Sequence, residues 1–148
     1  MNPKVKAIPD GFHTANVFLH VEDARKQIAF LEQAFGGQEI HRSAGPDGNI
    51  VHAEVRLGDS VVMIGQGSGA WKPRPCTVYM YVEDVDAVYR RAVETGAKSL
   101  SEPKDQFYGD RNAGLEDGNG NWWWVATHVE DVSHEESERR FAAMGRKH

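Results

Sequence analysis

Along Thr14 to Val21, the aliphatic positions Ala15, Val17, Leu19 and Val21 alternate with Thr14, Asn16, Phe18 and His20. That period of two predicts a strand buried on one face. Asp23 then suits a helix N-cap, and Ala24, Ile28, Leu31 and Phe35 follow at steps of four, three and four. This spacing predicts an amphipathic helix, closed by Gly36-Gly37. Three strands are expected next, at Gln38 to Ser43, Ile50 to Leu57 and Ser60 to Ile64. Gly45-Pro46-Asp47-Gly48-Asn49 and Gly58-Asp59 supply the turns between them.

The same order returns further along. Val78, Met80 and Val82 alternate against Thr77, Tyr79 and Tyr81; Asp84 is a second N-cap; Val85, Val88, Ala92 and Val93 mark a second helix, ended by Gly96-Ala97. Strands are expected at Lys98 to Ser101, Arg111 to Glu116 and Trp122 to Thr127, with Asp117-Gly118-Asn119-Gly120-Asn121 as a tight turn. The tripeptide Val21-Glu22-Asp23 recurs as Val82-Glu83-Asp84, 61 positions later. The chain is one β-α-β-β-β module written twice, spanning 14–66 and 76–128 of a domain at 14–128. The connector from Gly65 to Pro75 is rich in Gly, Ser and Pro. A C-terminal tail, 129–148, begins with a third Val-Glu-Asp and carries a helix over Glu135 to Met144, capped by Ser133 with Glu136.

Composition narrows the function. A chain of 148 residues with 40% hydrophobic content supports one core, and a formal net charge of −5 without a long basic cluster argues against nucleic acid as a partner. No apolar run approaches the length needed to cross a bilayer, so no membrane partner is expected. One cysteine, Cys76, excludes an internal disulfide and a cysteine zinc cluster and is compatible with a cytoplasmic location.

Each helix must cover one face of its sheet, so the aliphatic side of each strand faces a helix and the other side is left over. Thr14, Asn16, Phe18 and His20 remain from the first strand. His52, Glu54 and Arg56 remain from the third, where Val51, Ala53, Val55 and Leu57 take the helix side. The second module contributes Thr77, Tyr79 and Tyr81, then Trp122, Trp124 and Ala126, with Trp123 in the core. Aromatic rings mixed with a few polar groups make up a small-molecule site. His13, His41, His128, His134 and His148 are read as solvated. Asp110 and Arg111 are expected to hold each other, with an anionic ligand as the other role for Arg111.

The doubled strand, Val-Glu-Asp and helix pattern, the stretch Asp105-Gln106-Phe107-Tyr108-Gly109-Asp110-Arg111, and the ending Glu116 to Trp124 together resemble the vicinal oxygen chelate superfamily. That group includes glyoxalase I, bleomycin-resistance proteins and extradiol dioxygenases. The ending is similar to the Asp-Pro-Phe-Gly-Asn signature of the glyoxalase/bleomycin-resistance branch, with Gly118 and Asn119 in place of Pro-Phe. The resemblance implies an α+β fold of two βαβββ modules forming a cupped mixed β-sheet with helices on its outer face, in a homodimer. The metal-dependent members carry His or Gln, Glu, His and Glu at one position on each of four strands. These positions fall here on Asn16, near Met63, on Thr77 and on Trp124, none a good ligand for zinc or iron.

The expectation is therefore a small-molecule-binding protein without the standard metal or another cofactor, sequestering an antibiotic or aromatic compound. Its ligand-binding candidates are Asn16, Phe18, His20, His52, Glu54, Thr77, Tyr79, Tyr81, Phe107, Arg111, Trp122 and Trp124. The alternative is a lyase, isomerase or dioxygenase that uses His52 and Glu54 as an acid-base pair, or a divalent metal relocated to His20, His52 and Glu54.

Overall fold

A computed structural model of the protein describes residues 4–145. The last three residues of the expected tail, with His148 among them, lie outside the described residues. Eleven elements follow in order: β1 (Val17–Val21), α1 (Ala24–Phe35), β2 (Gln38–Ala44), β3 (Ile50–Leu57), β4 (Ser60–Gln66), β5 (Thr77–Tyr81), α2 (Val85–Glu94), β6 (Lys98–Asp105), β7 (Asp110–Glu116), β8 (Trp122–His128) and α3 (His134–Ala143). Each module builds its own four-stranded sheet, in the orders β1-β4-β3-β2 and β5-β8-β7-β6. The first and last strands of each module pair in parallel and the remaining neighbours antiparallel, so both sheets are mixed and the architecture is α+β.

The repeat extends to the helix starts. Asp23 Oδ1 accepts from the Lys26 N–H at 3.1 Å, and Asp84 Oδ1 accepts from the Ala87 N–H at 3.1 Å. These are N-cap bonds, each satisfying one of the donors a helix start leaves open. A second such donor is met from the module's last strand: Gln66 Oε1 accepts from Ala24 N–H, and Thr127 Oγ1 accepts from Val85 N–H. α1 closes on Gly36 with φ 68°, a left-handed turn that glycine adopts without a Cβ penalty.

α1 and α2 each pack on the aliphatic face of their own sheet, and α1 also touches α2, so the modules share one core. Trp123 sits fully buried there, its ring centroid 5.2 Å from Phe35 and 6.4 Å from Phe30 of α1. The turn between β7 and β8 completes the junction. Its Asp117 and Asn121 are buried and bond Gln27 of α1, which is also buried. Gly118 of this turn lies so close to α1 that a Cβ there would stand 2.6 Å from Lys26 Cδ. The departure from Pro-Phe therefore falls where a bulkier residue would meet the first helix.

Expectations about three strands change, and β6 runs on to Asp105 instead of ending at Ser101. β1 begins at Val17 because the Asn16 side chain folds back onto the His13 backbone, closing a turn instead of extending a strand. In β3, Ile50 is buried and Val51 is 57% exposed, reversing the expected parity at that end. Ser43 and Ala44 of β2 face His52 and Ile50, so Val51 is the extra residue of a bulge in β3, which accounts for the reversal.

Candidate functional site

The face of the first sheet turned away from α1 gathers Phe18, His20, His52 and Glu54. The Phe18 ring lies 5.1 Å from His20 and 5.9 Å from His52, and His52 Nε2 stands 3.1 Å from Glu54 Oε2. Register explains the grouping. Phe18 and Glu54 both flank Met63 of β4, while His20 and His52 both flank Gly65. Gly65 has no side chain because the Phe18 ring occupies that space: a Cβ there would stand 2.9 Å from Phe18 Cε1. His41 is exposed, as read from sequence, and borders this cluster, with its ring 6.3 Å from His52 and Nε2 3.0 Å from Ser43 Oγ. Trp71 of the connector stacks near His20, since Arg74 N–H donates to the His20 carbonyl and holds the connector against β1.

Asn16 stands at the edge of this face, but both ends of its amide are bound to the His13 backbone, at 2.9 and 2.7 Å. It lines a cavity of about 500 Å³ together with Glu54, Met63 and the segment that precedes β1.

The second sheet carries the more elaborate network. Tyr79 and Tyr81 both donate to Asp110 Oδ2, at 2.6 and 2.9 Å, and His128 Nδ1 lies 2.9 Å from Asp110 Oδ1. The other His128 nitrogen is 2.8 Å from Asp131. Asn112 donates to the phenol oxygens of Tyr79 and Tyr108, and Gln106 donates to Asn112. Tyr79, Gln106, Tyr108, Asn112 and Trp124 line a cavity of about 330 Å³. The ring of Trp124 lies over Gly114, where a Cβ would come within 2.8 Å of it. Trp122 and Thr77 pair across the strands beside a shallower hollow, and the Trp122 indole N–H donates to Glu116 at 2.9 Å.

Burial pushes the Asp110 carboxyl upward, but hydrogen bonds from Tyr79, His128 and Tyr81 outweigh it and hold the group below the usual carboxylate range. Asp110 is thus an anion. Burial, then the bond to Asp110, lifts Tyr79 above an ordinary phenol, and the same bond lifts Tyr81. Both remain protonated. The bonds to Asp110 and Asp131 raise His128 and favour the imidazolium. The arrangement fixes two phenol protons on one buried anion and turns the tyrosine rings toward the open side of the sheet.

Phe107 and Arg111 do not join this face. The Phe107 ring packs against Phe141 of α3 at 5.4 Å, and the Phe107 carbonyl accepts from Arg140. Arg111 reaches α2, with Nε and Nη2 each 2.9 Å from the Asp86 carboxylate, and it also contacts Asp105. It does not pair with Asp110, because neighbours on a strand point to opposite faces. Ala113 and Leu115, buried toward α2, already place Arg111 on the helix side by parity. The same count places Asp110 and Asn112, absent from the candidates, beside Tyr79. His128, read from sequence as solvated, is exposed and also bonds the buried Asp110.

Paired βαβββ modules with an aromatic, hydrogen-bonded sheet face define the class. The model of the Glyoxalase/Bleomycin resistance protein/Dioxygenase superfamily matches residues 12–125, and the chain belongs to that superfamily. An uncharacterized protein of Mycobacterium bovis is 32% identical over 138 residues, covering 86% of this chain and 91% of the relative. Among solved structures, TnmS3, an antibiotic binding protein from Streptomyces sp. CB03234, superposes with a TM-score of 0.65 at 22% identity, covering 84% of this chain and all of that one. The fosfomycin resistance protein FosX of Listeria monocytogenes, in a complex with Mn(II) and sulfate, superposes with a TM-score of 0.61 at 18% identity, covering 87% and 97%.

The metal positions that the superfamily resemblance implies do not fit a divalent cation here. Asn16 offers a neutral amide oxygen that already accepts from the His13 N–H, and Met63, Thr77 and Trp124 offer a thioether, a hydroxyl and an indole. Among the described residues, no group of three or more His, Cys, Asp or Glu side chains is placed to hold a metal ion. Among them also, no helix is long and apolar enough to cross a membrane.

Proposed function

We propose that the protein binds a planar organic ligand without transforming it, on the aromatic face of the second module and without a metal. The observation that carries this reading is the cavity lined by Tyr79, Gln106, Tyr108, Asn112 and Trp124, in which Asp110 fixes the Tyr79 phenol and Asn112 holds that of Tyr108. Ring faces give stacking area, and the amides and hydroxyls give a small number of oriented polar contacts. Similarity to an antibiotic binding protein supports an antibiotic or other aromatic compound as the ligand class. The partner in solution is a second copy: Phe18, Trp71, Tyr81 and Trp122 leave aromatic surface exposed across the two sheet faces, suited to closing a cup in a cytoplasmic homodimer.

Calorimetry and tryptophan quenching against a panel of aromatic antibiotics test the proposal. The expected outcome is saturable binding that Trp124→Ala weakens by about tenfold or more. Absence of saturable binding across the panel overturns it. Light scattering should give twice the chain mass; a monomer would remove the dimer from the reading.

One observation favours an enzyme instead: His52 Nε2 lies 3.1 Å from Glu54 Oε2, within reach for an acid-base pair. Elemental analysis of protein purified without a metal-affinity tag separates the readings further. Stoichiometric manganese, zinc or iron, lost on His52→Ala, supports the enzyme, and full turnover by Glu54→Gln removes the base.

A further inference from the structure

The turn between β6 and β7 places two adjacent rings in different company. Tyr108 lines the cavity of the second module, where its phenol oxygen accepts from Asn112 Nδ2 at 2.8 Å. Phe107 packs on Phe141 of α3 instead, 5.4 Å between ring centroids, and meets the Tyr108 ring at 88° and 5.1 Å. The tail after β8 is fitted to this turn along its backbone. The Gly109 carbonyl accepts from the N–H groups of Val129 and Glu130, at 2.9 and 3.1 Å. Gly109 takes φ 101°, and a Cβ there would run into the Glu130 carbonyl, so glycine lets the two segments lie this close.

Arg140 of α3 fastens the contact. Its Nη1 donates to the Phe107 carbonyl at 3.1 Å and to Glu130 Oε1 at 2.9 Å. Its Nη2 donates to Glu130 Oε2 at 3.1 Å, and its Nε to Glu136 Oε2 at 2.9 Å. One planar guanidinium thus joins the turn, the start of the tail and α3, which a single-headed lysine could not do in the same geometry. α3 buries none of its own side chains, so it adds little to the core. What it holds in place is the turn that carries Tyr108.

We propose, taking the second module's aromatic face as the ligand site, that the tail is part of that site and that Arg140 is its positioning residue. Arg140 touches no ligand. It fixes Phe107 between α3 and Tyr108, so that the Tyr108 ring stands as a wall of the cavity before a ligand arrives. A ring already held in place loses less conformational freedom on binding than one carried on a loose turn. Without Arg140 the Phe107 carbonyl loses this donor and Glu130 loses its cation. The turn is then left to its backbone bonds, to Asn112 and to ring packing.

The test uses the full chain, first without ligand and then with one. In ligand-free NMR, the Gly109, Val129 and Glu130 amides of Arg140→Gln should exchange about tenfold faster than in the wild type. The Tyr108 ring protons should shift as the ring leaves its place against Phe107, while the core amides of Val55 and Val125 stay unchanged. Arg140→Lys, which keeps the cation but not the planar fork, should fall between the two. The planar probe 9-aminoacridine, titrated by fluorescence, should bind Arg140→Gln about fivefold more weakly than the wild type. In a Tyr108→Ala background the same substitution should change affinity little, because the ring through which it acts is gone. Unchanged exchange and Tyr108 shifts in Arg140→Gln overturn the proposal. An equal loss of affinity with and without Tyr108 also overturns it, since that is the mark of a general effect on stability. No saturable binding of 9-aminoacridine by the wild type would count against the ligand reading and not against Arg140, which the ligand-free measurements decide alone.

Discussion

Gln27 and Asp117 lie 90 residues apart, in different modules, and meet in the core: Gln27 Nε2 donates to Asp117 Oδ2 at 2.9 Å. Asp117 also accepts from the Trp123 indole at 2.8 Å and from the backbone N–H groups of Asn119 and Asn121, each at 2.9 Å. The carboxylate thus ties the β7–β8 turn, the largest core ring and the first helix together. Asp117→Ala should leave several buried donors without an acceptor, costing about 3 kcal/mol or more. Gln27→Leu removes one polar partner from a network that stays mostly satisfied and should cost about 1–2 kcal/mol. Urea unfolding followed by far-ultraviolet circular dichroism measures both; equal small losses would show that the turn is not the clamp between modules.

Gly114 is a second point where backbone space is committed. A Cβ there would lie 2.8 Å from Cη2 and Cζ3 of Trp124, so Gly114→Ala must displace a ring that lines the aromatic cavity. The expected result is a loss of about 1–3 kcal/mol in stability. A planar ligand should also bind roughly tenfold more weakly, as in Trp124→Ala. If affinity holds while stability falls, the ring is not part of the site.

Much of the fold was legible because its signals are local. The Val-Glu-Asp repeat sets the N-caps Asp23 and Asp84, and period-two alternation places Leu19 and Val125 in the core and Tyr79 on the open face. The site was less legible. Which residues share a face follows from strand parity, but which residues bond follows from pairing between distant strands. Asp110 meets Tyr79 and Tyr81 only because β8 lies between β5 and β7 and holds their register. His128 reads as a strand-end histidine until that register is known. The cavity at the first module depends on a segment outside the repeat, Ile8 to Phe12, whose sequence carries no period to place it.

Arg111 tests how far a charged pair matters to stability. Its bonds to Asp86 and Asp105 are partly exposed, with side-chain accessibilities of 33%, 45% and 73%. Arg111→Ala should therefore change stability little. It should leave ligand affinity unchanged, because the side chain is on the helix side. A large affinity loss in isothermal titration would restore Arg111 to the site.

Asp110 and His128 make stability depend on pH in opposite directions. Hydrogen bonds hold Asp110 below its usual range, so its contribution is present above the unfolded value of about 3.9 and is lost as pH falls through the lower folded value. Asp110 and Asp131 raise His128, so its contribution is complete below the unfolded value of about 6.5 and is lost as pH rises through the higher folded one. The urea midpoint should therefore decline both in acid and on rising from about pH 6.5 toward the alkaline side. His128 is 47% exposed, so the alkaline decline is the smaller in amplitude. His128→Gln should flatten the alkaline decline and keep the acid one. Asp110→Asn should reduce the acid decline and leave only the Asp131 share of the alkaline one. A wild-type midpoint that is flat above pH 6.5, or unchanged by His128→Gln, would show that the imidazolium does not bridge the buried carboxylate to Asp131.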